Sequence, residues 1–319
     1  MTGLSKGGSS VLVTGGCGFI GINLVSSLAG RCDRIRVLDD LSVGSLGALK
    51  REWSAKKSVT QLEFVRGDVR ERGVVEDAVQ GVDAVVHLAA QSGVVSSIED
   101  PTFDYSVNVV GTFNILQAAR NWGVNKVVFA SSNAAVGKQT PPVSETGAPR
   151  PVSPYGASKL AAEGYCSAYH EAFGVGTVVL RFANAYGPQS AHKTSIVARF
   201  LSLALSEKPL IIYGDGSQTR DFVYVGDLCQ AILLALDEEA SSDIYQVGTG
   251  MQTSVNELIS TIESVLGRDL PRKHLPTRRG EVERTYLDIS KARALLGYSP
   301  QFSLKEGLNS THRWFLNHS

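Results

Sequence analysis

A run of glycines opens the chemistry that this sequence could do. Thr14-Gly15-Gly16-Cys17-Gly18-Phe19-Ile20-Gly21 follows a short apolar run and leads into a helical pattern. In such a turn Gly15 makes the tight bend, Gly18 lets the backbone approach a pyrophosphate, and Gly21 allows close helix packing. The helix N-terminus then presents free N–H groups and a positive dipole end to the phosphates. Asp39 stands 18 residues beyond Gly21, at the end of the second apolar run. A carboxylate there accepts hydrogen bonds from both adenosine ribose hydroxyls and repels a 2′-phosphate, which selects NAD over NADP. Tyr155 and Lys159, in Tyr155-Gly-Ala-Ser-Lys159, share one helix face. On a plain surface they would be an idle phenol and ammonium. Beside NAD, the lysine and the nicotinamide charge lower a phenol pKa from about 10 toward neutrality. The tyrosinate can then take a proton from a substrate hydroxyl as hydride leaves the same carbon. Ser132, in Phe129-Ala-Ser131-Ser132-Asn133, is placed to share that oxygen; on its own it reads as a cap.

Those residues need a scaffold, and the pattern supplies one. Apolar runs at Val11–Thr14, Ile35–Asp39, Leu62–Val65, Ala84–Leu88, Lys126–Ala130 and Val178–Phe182 predict strands buried on both faces. Helical patterns at Ile20–Leu28, Val74–Val79, Phe103–Trp122 and Tyr155–Phe173 lie between them. The alternation predicts a Rossmann-like, doubly wound parallel α/β sheet over residues 11–183. Residues 184–316 predict a smaller α/β lobe, with segments from 220–250 returning to the sheet. Its helices are expected at Ser195–Ser206, Val225–Asp237, Val255–Leu266, Ser290–Leu296 and Leu304–Phe315, and its strands at Ile211–Tyr213 and Ile244–Val247. Residues 1–10 read as a flexible Gly/Ser tail with no signal peptide.

Composition narrows the class. The 319 residues carry 31 Lys+Arg against 31 Asp+Glu, so the electrostatic footprint of a nucleic-acid binder is missing. No window approaches the length of a membrane helix. Cys17, Cys32, Cys166 and Cys229 are scattered without metal or disulfide spacing, which predicts free thiols, no metal and a cytoplasmic protein. The segment Arg268–Arg293 holds eight Lys/Arg against four Asp/Glu, a local basic excess that reads first as a solvated surface.

Taken together, the glycine turn, Asp39, Ser132 and Tyr155–Lys159 resemble the extended short-chain dehydrogenase/reductase superfamily, in its NAD-dependent epimerase/dehydratase branch. The resemblance covers residues 11–316. It includes His87-Leu-Ala-Ala90, Asn108-Val-Val-Gly-Thr112, Arg181-Phe-Ala-Asn184-Ala-Tyr-Gly-Pro188, Gly214-Asp-Gly-Ser-Gln-Thr-Arg220-Asp221-Phe and Arg278-Arg-Gly-Glu281. Within the branch it is most similar to UDP-N-acetylglucosamine and UDP-glucose 4-epimerases. The resemblance implies Tyr155 as base, Ser132 as its partner and Lys159 as ribose anchor. It implies NAD contacts from Gly15, Gly18, Phe19, Ile20, Gly21, Asp39, Asp68, Val69, Leu88, Ala89, Ala90 and Asn108. Asp68 reads equally as the cap of the next helix. For the UDP-sugar, Asn184, Arg220 and Arg278 would hold the diphosphate, Glu281 the uridine ribose, and Pro209–Tyr213, with Tyr213, would flank the uracil. The basic excess then finds a use, since arginine forks suit phosphate oxygens.

The same resemblance orders the possible reactions. Dehydratases of the branch place an Asp-Glu pair after the serine; here Asn133 and Ala134 stand there and cannot shuttle protons. The decarboxylases' glutamate in this segment is missing too. C4 epimerisation through a transient 4-keto sugar is therefore the expected reaction. Ala135-Val136-Gly137 replaces the Val-Tyr-Gly of many relatives. Thr285, seven residues after Arg278, falls where a bulky tyrosine would exclude an acetamido group, so UDP-N-acetylglucosamine and UDP-N-acetylgalactosamine are the expected pair. A UDP-glucose/UDP-galactose enzyme and a UDP-uronic acid enzyme, with His192 or Lys193 reading a carboxylate, are the alternatives. A non-catalytic NAD-binding regulator is the alternative of another class. The resemblance also implies a homodimer, built on Phe103–Trp122 and Tyr155–Phe173.

Overall fold

The computed structural model describes residues 9–237, 239–277 and 283–318. Its first part is β1 (Ser10–Thr14), α1 (Phe19–Leu28), β2 (Arg34–Asp39), α2 (Leu46–Lys56), β3 (Gln61–Arg66), α3 (Arg72–Val79), β4 (Ala84–His87), α4 (Val94–Glu99), α5 (Pro101–Tyr105), α6 (Gly111–Trp122), β5 (Lys126–Ser132), α7 (Pro154–Phe173) and β6 (Gly176–Phe182). There follow β7 (Asn184–Tyr186), α8 (Ile196–Leu205), β8 (Leu210–Tyr213), β9 (Thr219–Arg220), β10 (Phe222–Tyr224), α9 (Val225–Ala235), β11 (Ile244–Val247), β12 (Thr253–Ser254), α10 (Val255–Leu266), β13 (Arg272–Leu275), α11 (Ser290–Leu296) and α12 (Leu304–His318).

Seven strands form one parallel sheet in the order β11-β6-β5-β4-β1-β2-β3. Its strands are apolar without interruption because both faces are covered. Val11 and Val13 enter one core cluster and Leu12 the other, as do Val128 against Val127 and Phe129. Strand order reverses between β1 and β4, which opens a crevice at the carboxyl ends of the strands where ligands of such sheets bind. The late strand β11 joins this sheet beside β6.

The long helix expected over Phe103–Trp122 is interrupted. A π turn over Ser106–Val110 separates α5 from α6. The turn carries the buried Asn108, and the next residue but two, Gly111, has no room for a Cβ, which would lie 2.7 Å from Val69 Cγ2. Two helices went unread in the sequence. α2 starts on a Ser45 cap but buries only Ala48 and Leu49, so it has no apolar stripe, and α4 is six residues long. The two- and three-residue strands β7, β9, β10 and β12 are too short to show a period. Among the described residues no helix is long and apolar enough to cross a membrane.

Candidate active site

The glycine turn lies at the reversal point of the sheet. Gly15 takes φ +67°, and a Cβ there would meet Ala89 N at 2.7 Å. The segment after β4 is drawn against the turn: Leu88 N donates to Thr14 O and Ala89 N to Thr14 Oγ1, so Leu88, Ala89 and Ala90 border it. A Cβ on Gly21 would lie 2.3 Å from Gly15 O, so helix α1 could not otherwise approach. Gly18, by contrast, has only Gly15 O within 4 Å, at 3.3 Å. It is the N-cap of α1, with no side-chain cap and no acid in the first turn. The first N–H groups of the helix, on Phe19, Ile20 and Gly21, have no intrahelical partner and keep an open anion site.

Asp39 closes this turn from β2. Its Oδ2 accepts from Cys17 N and its Oδ1 from Leu41 N, both at 2.9 Å. Burial raises its pKa and these two bonds pull it back. Each oxygen has a further lone pair for a ribose hydroxyl. Asp68 does not cap α3, whose N-cap is Glu71. It pairs instead with Arg70 at 2.5 Å, which holds its carboxyl below the usual range. The carbonyl of Val69 accepts from Asn114 Nδ2.

The candidate reacting groups meet where α7 passes the end of β5. Ser153 caps α7 through Gly156 N, Pro154 occupies its first turn, and Gly174 closes it at φ 71°. Gly156 decides the approach: a Cβ there would lie 2.3 Å from Ala134 O, so only glycine brings Tyr155 beside the Ser132 loop. Ser132 caps the 3₁₀ turn Asn133–Ala135, accepting from Ala134 N, and its hydroxyl favours the ionised form of the Tyr155 phenol. Lys159 is 2% exposed; its Nζ donates to Ala130 O at 2.9 Å and lies 4.7 Å above the Phe129 ring. The phenol near neutrality was expected beside bound NAD; in the protein alone it titrates higher. Burial pushes Tyr155 up to about 12, against the lowering by Ser132, and burial brings Lys159 down to about 8. For Tyr155 the cost of burial outweighs the help from Ser132, and the Asp104 charge adds to the rise.

Behind this pair lie Asn108, named from the sequence, and two residues that sequence reasoning missed, Asp104 and Glu163. Asn108 Nδ2 reaches Gln91 O, Asp104 Oδ1 and Ser158 Oγ, while its Oδ1 accepts from Gln91 N. Glu163, one turn beyond Lys159, is doubly bonded to the buried Arg181 and accepts from Ser131. The i+4 step from Lys159 was the available signal for Glu163; Asp104 had none.

Among the substrate candidates, Asn184 begins β7, and its buried Nδ2 has no hydrogen-bond partner in the described residues, as a group awaiting a ligand would. Arg220 lies on β9, and Thr285 N donates to Thr219 O, which brings Thr285 beside it. Asp221, fully buried, ties this region together: its carboxylate accepts from Thr249, Gly250 and Leu287, and its carbonyl from Asn184 N. Tyr213 ends β8, where its carbonyl accepts from Gln218. Arg278 and Glu281 lie outside the described residues. Lys193 Nζ donates to Ser92 Oγ at 2.9 Å, next to Gln91. No cluster of His, Cys, Asp and Glu among the described residues is arranged to hold a metal.

The model of the NAD dependent epimerase/dehydratase family matches residues 11–248. The chain belongs to that family. A UDP-glucose 4-epimerase of Mycolicibacterium smegmatis is 40% identical, covering 97% of this chain and 99% of its own length. Two solved structures overlay closely. The UDP-N-acetylglucosamine 4-epimerase of Methanobrevibacter ruminantium, bound to UDP-N-acetylmuramic acid, gives a TM-score of 0.91 at 30% identity over 98% of this chain and all of its own. The UDP-glucuronic acid 4-epimerase of Bacillus cereus, with UDP-glucuronic acid and NAD, gives 0.89 at 30% identity over 97% of this chain and all of its own. NAD is the cofactor of the family, and this chain fits it: the open side of Gly18, the uncapped start of α1 and the spare lone pairs of Asp39 match the pyrophosphate and ribose that it would bring.

Proposed function

We propose that this protein interconverts UDP-hexoses by epimerisation at C4, with UDP-N-acetylglucosamine and UDP-N-acetylgalactosamine as its pair. The observation that carries the reading is the Ser132–Tyr155–Lys159 cluster, followed at positions 133 and 134 by a residue pair that cannot move protons. Bound NAD supplies the acceptor that takes and returns the C4 hydrogen. Gly18 and the first N–H groups of α1 hold its pyrophosphate, Asp39 its adenosine ribose, and Lys159 its other ribose. Tyr155 exchanges the proton of the C4 hydroxyl, and Ser132 holds the same oxygen in line. With no acid/base pair to expel water or another group, the oxidised sugar can only be reduced again, on either face.

Arg220 and Arg278 would neutralise the diphosphate, Asn184 would donate a hydrogen bond to it, Glu281 would hold the uridine ribose, and Tyr213 would border the uracil. The placement of Thr285 next to Arg220 supports its reading as the residue beside C2, where a threonine leaves room for an acetamido group. One observation favours a second reading: Lys193, tied to the loop after β4, offers a cation for a UDP-uronic acid. A homodimer is supported by the unpartnered apolar face of α6 and α7, with Phe113, Trp122, Tyr165 and Phe173 exposed. Four buried free thiols support a cytoplasmic setting.

Proton NMR of the purified protein with UDP-N-acetylglucosamine, UDP-glucose and UDP-glucuronic acid in separate tubes tests the reading. The galacto-configured anomeric signal is expected from the acetylated sugar. Thr285→Tyr should abolish that turnover selectively; equal loss on acetylated and plain sugars overturns the assignment of Thr285. Conversion of UDP-glucuronic acid alone establishes the second reading, and conversion of none, with NAD supplied, overturns epimerisation.

A further inference from the structure

Asp104 is an aspartate with no place among the motifs of the sequence, yet the fold buries it to 1% exposure inside the catalytic layer. Helix α5 packs on α7, and the π turn after α5 swings Asn108 back over it. Asp104 Oδ1 accepts from Asn108 Nδ2 at 2.9 Å, and the same amide reaches Ser158 Oγ at 3.1 Å. Ser158 lies between Tyr155 and Lys159 on α7, and its Oγ donates to the Tyr155 carbonyl at 3.0 Å. The carboxylate is thus hydrogen-bonded by a neutral amide and, among the described residues, paired with no cation.

The charges around Lys159 leave Asp104 a specific part. The groups that face the lysine are Tyr155, Glu163 and Cys166 on its own helix, His87 on β4, Arg181 on β6 through Glu163, and Asp104 on α5. Glu163 is spent on Arg181, at 2.6 Å with both partners almost fully buried. His87 is neutral, its pKa brought down to about 3 by burial, and Cys166 stays a thiol. Lys159 makes no ion pair among the described residues; its bonds go to a carbonyl and a ring face. Among the described residues around this site, Asp104 and Lys159 are a buried anion and a buried cation outside any ion pair, and the Asn108 amide runs from the carboxylate to Ser158, the neighbour of the lysine. A lone buried charge is costly, and a compensating charge one side chain away relieves that cost.

We propose that Asp104 is a positioning residue of the active site: it carries the counter-charge of Lys159, held at a fixed distance by Asn108 and Ser158. The inference rests on the reading of Tyr155 and Lys159 as the reacting pair. It has a definite consequence, because the carboxylate acts on both members in the same direction. It keeps the proton on Lys159 and keeps the proton on Tyr155. Removing the charge should let both groups lose their protons at lower pH. The whole bell of kcat/KM then moves toward acid, by about one pH unit for a charge of this proximity.

The test compares the pH profile of UDP-sugar epimerisation for the NAD-loaded wild type, Asp104→Asn and Asp104→Glu. Both limbs should move down by about one unit in Asp104→Asn, while Asp104→Glu, which keeps the charge, should keep the wild-type midpoints even at a lower rate. Asp104→Ser, which leaves room for a water, serves where the amide does not fold. Tyr155→Phe separates the two ideas. If it retains activity, the reacting pair itself is misassigned. If Tyr155→Phe is inactive and Asp104→Asn keeps the wild-type midpoints, the counter-charge role alone is overturned. A fall in rate with unmoved midpoints assigns Asp104 to structure only and overturns it equally.

Discussion

Gly18 and Gly21 stand three residues apart in one motif, and the structure assigns them different duties that two alanine variants can separate. At Gly21 a Cβ would lie 2.3 Å from Gly15 O and 2.5 Å from Gly16 Cα. Ordinary contact needs about 3.5 Å, so the turn and the helix must part by about 1 Å. Overpacking of that kind costs about 1–3 kcal/mol, a fall in Tm of roughly 1.5 to 4.5 °C for a chain of this size. At Gly18 the same methyl meets only Gly15 O, at 3.3 Å. The residue has φ −82° and ψ −178°, which alanine adopts without strain. Gly18→Ala should therefore fold with an unchanged Tm but fill the space that a pyrophosphate approaches, at a cost of about tenfold or more in NAD affinity, about 1.4 kcal/mol. The assay has two arms. Thermal unfolding is measured on NAD-stripped protein, because bound ligand would raise Tm by mass action. NAD is then titrated back and bound nucleotide is quantified after acid precipitation. Gly21→Ala should fail in both arms and Gly18→Ala only in the second. Full NAD binding by Gly18→Ala would remove the pyrophosphate from that side of the turn. A wild-type Tm for stripped Gly21→Ala would refute the close approach of α1.

Two further substitutions address the layer beneath the site. Glu163→Gln leaves the buried Arg181 charge without its doubly bonded carboxylate, and stability should fall by about 3–5 kcal/mol in urea unfolding with unchanged m; a loss below about 1 kcal/mol would mean that the pair is not desolvated. His87 is held neutral by burial, with its pKa near 3 against an ordinary 6.5. The unfolded chain takes up this proton first, so the stabilisation is complete above about pH 6.5 and is lost as pH falls toward 3, by about 1.4 kcal/mol per unit. Between pH 6.5 and 5 a His87→Gln variant should show a flatter stability curve than the wild type, and parallel curves would show that His87 charges freely in the fold.

The sequence was legible where one short stretch holds both the chemistry and its support. The glycine turn needs seven neighbours in order, Asp39 one more strand, and Tyr155 with Lys159 a single helical turn. Each of these shows in residue type and spacing alone. Asp104 does not, because what defines it is the packing of α5 on α7, which links residues some fifty positions apart through the Asn108 and Ser158 side chains. Nothing local marks the π turn that swings Asn108 inward, and an unbroken helix is the natural expectation from the same residues. Asp221 is similar: it reads as part of a motif beside Arg220, yet its work is to collect backbone N–H groups from Thr249, Gly250 and Leu287. The ionisation of Tyr155 in the protein alone was not legible for another reason. Spacing shows that a cation is near, but the desolvation that opposes it depends on every element packed around the phenol.

That last point bears on how the site would be controlled. In the protein alone, near pH 7, the phenol of Tyr155 is firmly protonated and Lys159 is charged, the reverse of a ready base. A phenol near 12 must fall by some four to five units to serve there. One opposite charge at close range lowers such a group by about 1–3 units, so a single cation cannot do it unaided. A second cation is required, and in the proposed reaction only the oxidised nicotinamide supplies it. Asp104 acts against both, holding the proton on Tyr155 until that second charge arrives. The base is thus switched on by occupancy of the cofactor site and not by the fold. The burial that opposes ionisation of Tyr155 in the protein alone thus ties a working base to the loaded cofactor site.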